Sequence, residues 1–225
     1  AHGDDDGGSS RGALWILFMN ANSTVKSYQK VSDTQGGFTG VLADSDLFGY
    51  RVEAIDDIDG DGVADLAVGA VNDDDGGFNK GAIWILFMNT DGTVKSEQKI
   101  SETAGDFTGT LSMINNFPHG IQYMGDMDGD GDVNIAVTAS GDDDGGTNKG
   151  AVWILNIGTD GKVNSYQKIG PSLKERVGKT KDGKNMDEYL NSIDHALKSA
   201  RAIELNKRNI ESGVDLQAAI NFVKK

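Results

Sequence analysis

The chain has no cysteine, which removes disulfide frameworks, thiolate zinc sites and cysteine nucleophiles together and leaves its redox compartment open. It also lacks a long apolar run. The longest stretches, such as Ala82 to Met88, fall far short of the roughly eighteen residues that span a bilayer. No basic segment followed by an apolar one opens the chain, so it reads as soluble and already processed. Positive charge is scarce as well: 35 acidic residues face 21 basic ones, a formal charge of −14. Bulk electrostatics therefore disfavour nucleic acid or an anionic membrane as partner and favour cations. What remains is adequate for a core, since 37% of the 225 residues are hydrophobic, enough for one medium domain or two small ones.

Charge and glycine mark a boundary. Residues 171–225 hold 11 Lys/Arg and 8 Asp/Glu, leaving 10 and 27 for residues 1–170, and carry only three of the 31 glycines. Turn-rich β structure is expected to stop near Gly170-Pro171. Beyond it Met186, Tyr189, Leu190, Ile193, Leu197, Ala200 and Ile203 recur at helical steps, predicting an amphipathic helix to about Ile210. Asn185 with Glu188 resembles its capping box. A second short helix near Val214, using Leu216, Ala219, Ile220 and Val223, would complete a helix hairpin over 171–225, packed on itself or the β part, or docked to another chain.

Residues 1–170 repeat. The segment Arg11-Gly-Ala-Leu-Trp-Ile-Leu-Phe-Met-Asn20 returns 69 residues later from Lys80 and again from Lys149. The Asp-Asp-Asp-Gly-Gly runs at Asp4, Asp73 and Asp142 and the Gln-Lys pairs at Gln29, Gln98 and Gln167 keep the same spacing. Such a period is duplication. In each unit the Trp-containing run is apolar on both faces, which predicts a strand buried in the middle of a stack. Asp91-Gly92 and Asp160-Gly161 predict tight hairpin turns into the alternating strands Thr93 to Ile100 and Lys162 to Ile169. Two earlier strands, near Phe48 to Ile55 and Ala64 to Ala70, flank an aspartate-rich loop. Four short antiparallel strands per unit make a mainly β chain of propeller-type blades, divided into a partial unit 1–46, a unit 47–115 and an altered unit 116–170.

Phe48-Gly49, the loop Asp57-Ile-Asp-Gly-Asp-Gly-Val-Ala-Asp65 and Leu66-Ala-Val-Gly-Ala70, in that order inside a duplicated unit, resemble the FG-GAP repeat of integrin α-subunit propellers and related bacterial surface proteins. The resemblance covers roughly residues 1–170 and implies a propeller fold, calcium in the loops and protein or glycan ligands. The altered unit departs from it, with Phe117-Pro118 in place of Phe-Gly and Ala136-Val-Thr-Ala139 in place of the Gly-Ala form.

Both loops have metal-ligand spacing. A hard divalent cation takes about six to eight oxygens from carboxylates at alternate positions around a glycine turn. Asp57, Asp59, Asp61 and Asp65 take positions 1, 3, 5 and 9 of the first loop, with Gly62 at the turn and the Val63 carbonyl at 7. Asp126, Asp128, Asp130 and Asn134, with Gly131 and the Asp132 carbonyl, repeat this pattern. Unneutralised carboxylates this close would repel, so two Ca2+ sites are expected, the second weaker because Asn134 carries no charge, with Asp132 as a nearby charge against that difference. Magnesium prefers a smaller octahedral shell that retains water. An EF-hand needs an acidic residue at position 12 and an exiting helix; Val68 and Val137 stand there and both exits read as strands.

The Asp-Asp-Asp runs read first as solvated inter-strand loops, because consecutive carboxylates point different ways; an accessory cation site or an acidic rim for a basic partner is the alternative. His2, His119 and His195 share no ligand spacing, and the clustered aspartates all obey the repeat, so no catalytic constellation is expected. Trp15, Trp84 and Trp153 recur as core aromatics do. About two and a half units cannot close a propeller, which takes roughly four to eight blades. The opening inside a repeat at Ala1 suggests a piece of a longer chain or a self-assembling subunit. The expected function is a non-enzymatic, extracellular or cell-surface adhesion module, or else a subunit of a filament or surface layer. An enzyme accessory domain ranks last.

Overall fold

A computed structural model of the chain describes residues 1–127 and 129–171; the expected helix hairpin lies outside the described residues. Ten strands run in order: β1 (Ala13–Met19), β2 (Val25–Ser32), β3 (Phe48–Ala54), β4 (Leu66–Ala70), β5 (Ala82–Met88), β6 (Val94–Ile100), β7 (Gly120–Gly125), β8 (Val133–Ala139), β9 (Ala151–Ile157) and β10 (Val163–Ile169). They form an antiparallel pair β1-β2 and two four-stranded antiparallel sheets, β3-β4-β5-β6 and β7-β8-β9-β10. Among the described residues there is no helix, and so none long and apolar enough to cross a membrane.

The hairpin turns follow from their residues. Gly92 has φ +81° and donates its N–H to the Asn89 carbonyl at 2.9 Å. Asp91 accepts the Thr93 N–H and hydroxyl at 3.0 and 2.6 Å. This local wiring fixes the β5-β6 register, which pairs Ile83 with Ile100 and Phe87 with Ser96, and with it the face each side chain occupies.

β5 is buried along its whole length because the sheets stack on both of its faces. Ile83, Ile85 and Phe87, with Ala67 from β4, share one cluster with Val133, Ile135, Val137, Trp153 and Leu155. Trp84, Leu86 and Met88, with Val68 and Ala70, share the other with Leu14, Ile16 and Val31. Each aliphatic side chain so buried contributes on the order of 2 kcal/mol. The sheets therefore layer in chain order, the middle one bearing two apolar faces.

Aromatic contacts lock the layers. Phe38 lies 4.9 Å from the Phe48 ring and edge-on to Trp84 at 5.0 Å; 69 residues on, Phe107 lies 5.8 Å from Phe117 and 5.2 Å from Trp153. Phe117 is fully buried and fills the Phe48 role, so the altered unit keeps its packing despite losing the Phe-Gly pair. Gly12 and Gly81, at φ +95° and +86°, sit where a Cβ would overlap the carbonyl oxygens of Phe48 and Phe117. In the first two Gly-Ala pairs the glycine is thus what lets one sheet meet the chain at or just before the first strand of the next. Trp15 departs from its equivalents: it is 47% exposed, against 5% for Trp84 and 2% for Trp153. Its face of the pair β1-β2, shared with Leu17, Met19 and Tyr28, points away from the stacked core.

Candidate metal centre

The loop joining β3 to β4 is closed at its neck by Ile55 N–H on the Asp65 carbonyl, at 2.9 Å. Inside the neck, aspartate side chains replace the backbone partners that strands would have supplied. Asp57 accepts from Asp61 N–H at 2.9 Å and from Gly62 N–H at 2.7 Å, and Asp61 accepts from Val63 N–H at 2.9 Å. Gly60 and Gly62 turn the chain at φ +77° and +89°. Short acidic side chains bonded to nearby N–H groups favour such turns, and here they curl the loop until its carboxylates converge. One oxygen from each of Asp57, Asp59 and Asp61 lies within 4.8 Å of the others.

Asp65 is not part of that trio. It is fully buried, and its two oxygens accept N–H groups from Ile58 at 3.1 Å and Met88 at 3.0 Å. Burial lifts its pKa, opposed by those two bonds and reinforced by Asp59 and Asp61. It ties the loop to β5. Val63, whose carbonyl was assigned position 7, is half-buried at the loop's exit.

Lysine chemistry enters the trio from a strand two places away. Lys95, on β6, puts its Nζ 2.5 Å from Asp59 Oδ2 and also bonds Asp61. That bond holds the Asp61 carboxyl below its ordinary range, with the Val63 N–H helping, while the Lys95 ammonium is raised by its bonds to Asp59 and Asp61.

The second loop repeats the wiring. Asp126 accepts from Gly129 N–H at 2.7 Å and Gly131 N–H at 3.0 Å. Asp130 accepts from Asp132 N–H at 2.9 Å and from the Asn156 amide at 3.3 Å. Asn134 Oδ1 takes the Met127 N–H at 2.8 Å, the role Asp65 plays for Ile58, with a neutral amide oxygen in place of a carboxylate. Asp132 directs its carboxylate to Asn164 Nδ2, 2.6 Å away. Asp128 lies outside the described residues, so a converging trio is described only in the first loop.

The donor set of the first loop fits a hard divalent cation: three carboxylates, no sulfur and no imidazole. The Asp-Asp-Asp runs have a different use. Lys99 lies 2.9 Å from Asp73 and 3.0 Å from Asp75. Lys30 is 2.8 Å from both Asp4 and Asp6, and Lys168 is 2.8 Å from Asp142. The middle aspartate of each run bonds its own loop, Asp5 to Ser10 N–H at 2.7 Å, Asp74 to Asn79 N–H at 2.7 Å and Asp143 to Asn148 N–H at 2.8 Å. Each lysine also lies over its tryptophan, at 5.6, 5.5 and 5.0 Å for Trp15, Trp84 and Trp153. Burial would lower Lys99, but Asp73 and Asp75 outweigh it and raise it. The runs are therefore clamps that close each unit, with Asp73 and Asp142 buried, and not the solvated loops their composition suggests. The repeat held the signal: aspartate run and lysine recur at one spacing, 26 residues apart. Lys95 had no such signal, because its equivalents are Lys26 and Asn164.

His2 and His119 flank the Tyr50 ring at 5.4 and 6.0 Å; His195 lies outside the described residues. Together the described geometry defines a repeated four-stranded antiparallel unit that holds an aspartate loop between its first two strands. Residues 48–86, from the start of β3 into β5, match the family model of the FG-GAP repeat. No curated protein matches the chain.

Proposed function

We propose that the chain is a calcium-binding, extracellular propeller-type repeat module that acts without catalysis, presenting its stacked units to a protein or glycan ligand. The convergence of Asp57, Asp59 and Asp61 inside an FG-GAP repeat carries this reading. Asp57, Asp59, Asp61, Asp65 and the Val63 carbonyl would hold one ion; Asp126, Asp128, Asp130, Asn134 and the Asp132 carbonyl would hold a second. The ion supplies the positive charge that lets the carboxylates stay close, and binding to the folded state alone raises stability. Calorimetric titration with calcium, followed by thermal unfolding, tests this. Two binding events and a raised Tm are expected, one event lost with Asp57→Ala and the other with Asp126→Ala; no heat and no gain in Tm would overturn it.

A second reading, a subunit of an extracellular filament or surface layer, draws support from the face of β1-β2 that exposes Trp15, Leu17, Met19 and Tyr28. The corresponding residues Trp84, Leu86 and Met88 of the next unit are covered by a neighbouring sheet, so the exposed face is one that a further sheet, supplied by a second copy of the chain, would cover. Sedimentation in calcium would show mass rising with concentration; monomers throughout would remove this reading.

A further inference from the structure

We infer that Lys95 is a built-in competitor for the first loop, an ammonium that calcium must displace before it can occupy the Asp57–Asp59–Asp61 trio. This rests on the reading of that loop as a calcium site.

The argument starts from what the ammonium touches. Of the three converging carboxylates, Lys95 bonds two, Asp59 and Asp61. It reaches them from β6, across the sheet, and neutralises part of the charge that otherwise makes the loop unstable without metal. A divalent ion at the centre of the trio would share carboxylates with Nζ and stand a few ångströms from it. At that separation a double charge against a single one is strongly repulsive, even with water between. Both cannot stay. The lysine is the one built to leave: its side chain is 37% exposed, and its long stem can carry the charge into solvent. Binding is then an exchange, ammonium out and calcium in, and the loop keeps a counter-ion in either state.

The second loop provides the internal contrast. Asn164 stands 69 residues after Lys95 and meets Asp132 through a neutral amide. Nothing charged has to move from that position. Counted over the side chains at the ligand positions, four carboxylates against three rank the first loop as the tighter site; the ammonium acts against that ranking and lifts the concentration at which the first loop fills.

Calcium titrations of the wild type, Lys95→Met and Lys95→Arg decide the point, with circular dichroism to check folding. Lys95→Met is expected to tighten the first-loop event by roughly tenfold or more, and to lower Tm in the absence of calcium. Lys95→Arg, which keeps the charge, should stay within about twofold of the wild type by the same electrostatic reasoning. The gain from Lys95→Met should vanish when Asp57→Ala is added. Equal affinity in wild type and Lys95→Met, or weaker binding in Lys95→Met, overturns the competitor role while leaving the calcium site standing. Absence of calcium heat from every protein, Lys95→Met included, removes the site and the competitor together.

Discussion

Asp46 shows how much a single buried carboxyl can cost. It is 3% exposed and accepts the Ala43 N–H at 2.7 Å. Burial pushes its pKa up to about 6; the Ala43 bond opposes this, Asp73 adds to it, Lys99 opposes and Asp74 adds. In the next unit the equivalent residue is Asn115, whose amide donates to Asp142 at 3.2 Å. A folded pKa above the ordinary 3.8 means the protonated form is favoured by folding. Its stabilising contribution is complete below about pH 4 and is lost as pH rises through about 6. Asp46→Asn should therefore stabilise the protein at pH 7 by on the order of 2–3 kcal/mol, and make little difference below about pH 4. Urea unfolding at both pH values checks this; an equal effect at both would refute the assignment. Residue-scale chemistry of this kind was only partly legible in the sequence. The metal-type spacing of Asp57, Asp59 and Asp61 could be read directly, since local N–H bonding makes the loop. The pairing of Lys99 with Asp73 left only an indirect mark, the constant 26-residue spacing of run and lysine, because the folded sheet alone brings such distant groups into contact.

Elements were more legible than their ends. The Trp-containing runs announced central strands at β5 and β9, though β1 lies in a two-stranded pair with one face exposed, and the Asp-Gly turns announced hairpins, because two-sided burial and positive φ each leave a compositional mark. The strand after the first aspartate loop was expected from Ala64 but begins at Leu66, since Asp65 spends its backbone closing the loop neck. The first two Gly-Ala pairs also had a meaning the period alone did not give. Gly81 lies against the Phe117 carbonyl, while Gly60, at a similar φ, faces open space. Gly81→Ala should cost upward of about 2 kcal/mol, combining backbone strain with the displaced sheet contact. Gly60→Ala should cost only about 1 kcal/mol, from the backbone alone. Chemical denaturation of the two variants separates these terms; equal losses would mean that the close approach between sheets contributes nothing.

At the scale of the molecule, the 69-residue period gave the number of units and their order, and the two-sided apolar runs required layers. Which outer face would carry exposed apolar residues was beyond it, because Trp15, Trp84 and Trp153 are indistinguishable by local sequence and differ only in what stacks on them. That difference makes the chain its own optical probe. The three indoles occupy one register, each beneath a lysine, yet one is half in water and two are sealed between sheets. Their emission should sort by layer, Trp15 to the red and open to aqueous quenchers, Trp84 and Trp153 to the blue and shielded, so that light alone can report which seam of the stack parts first.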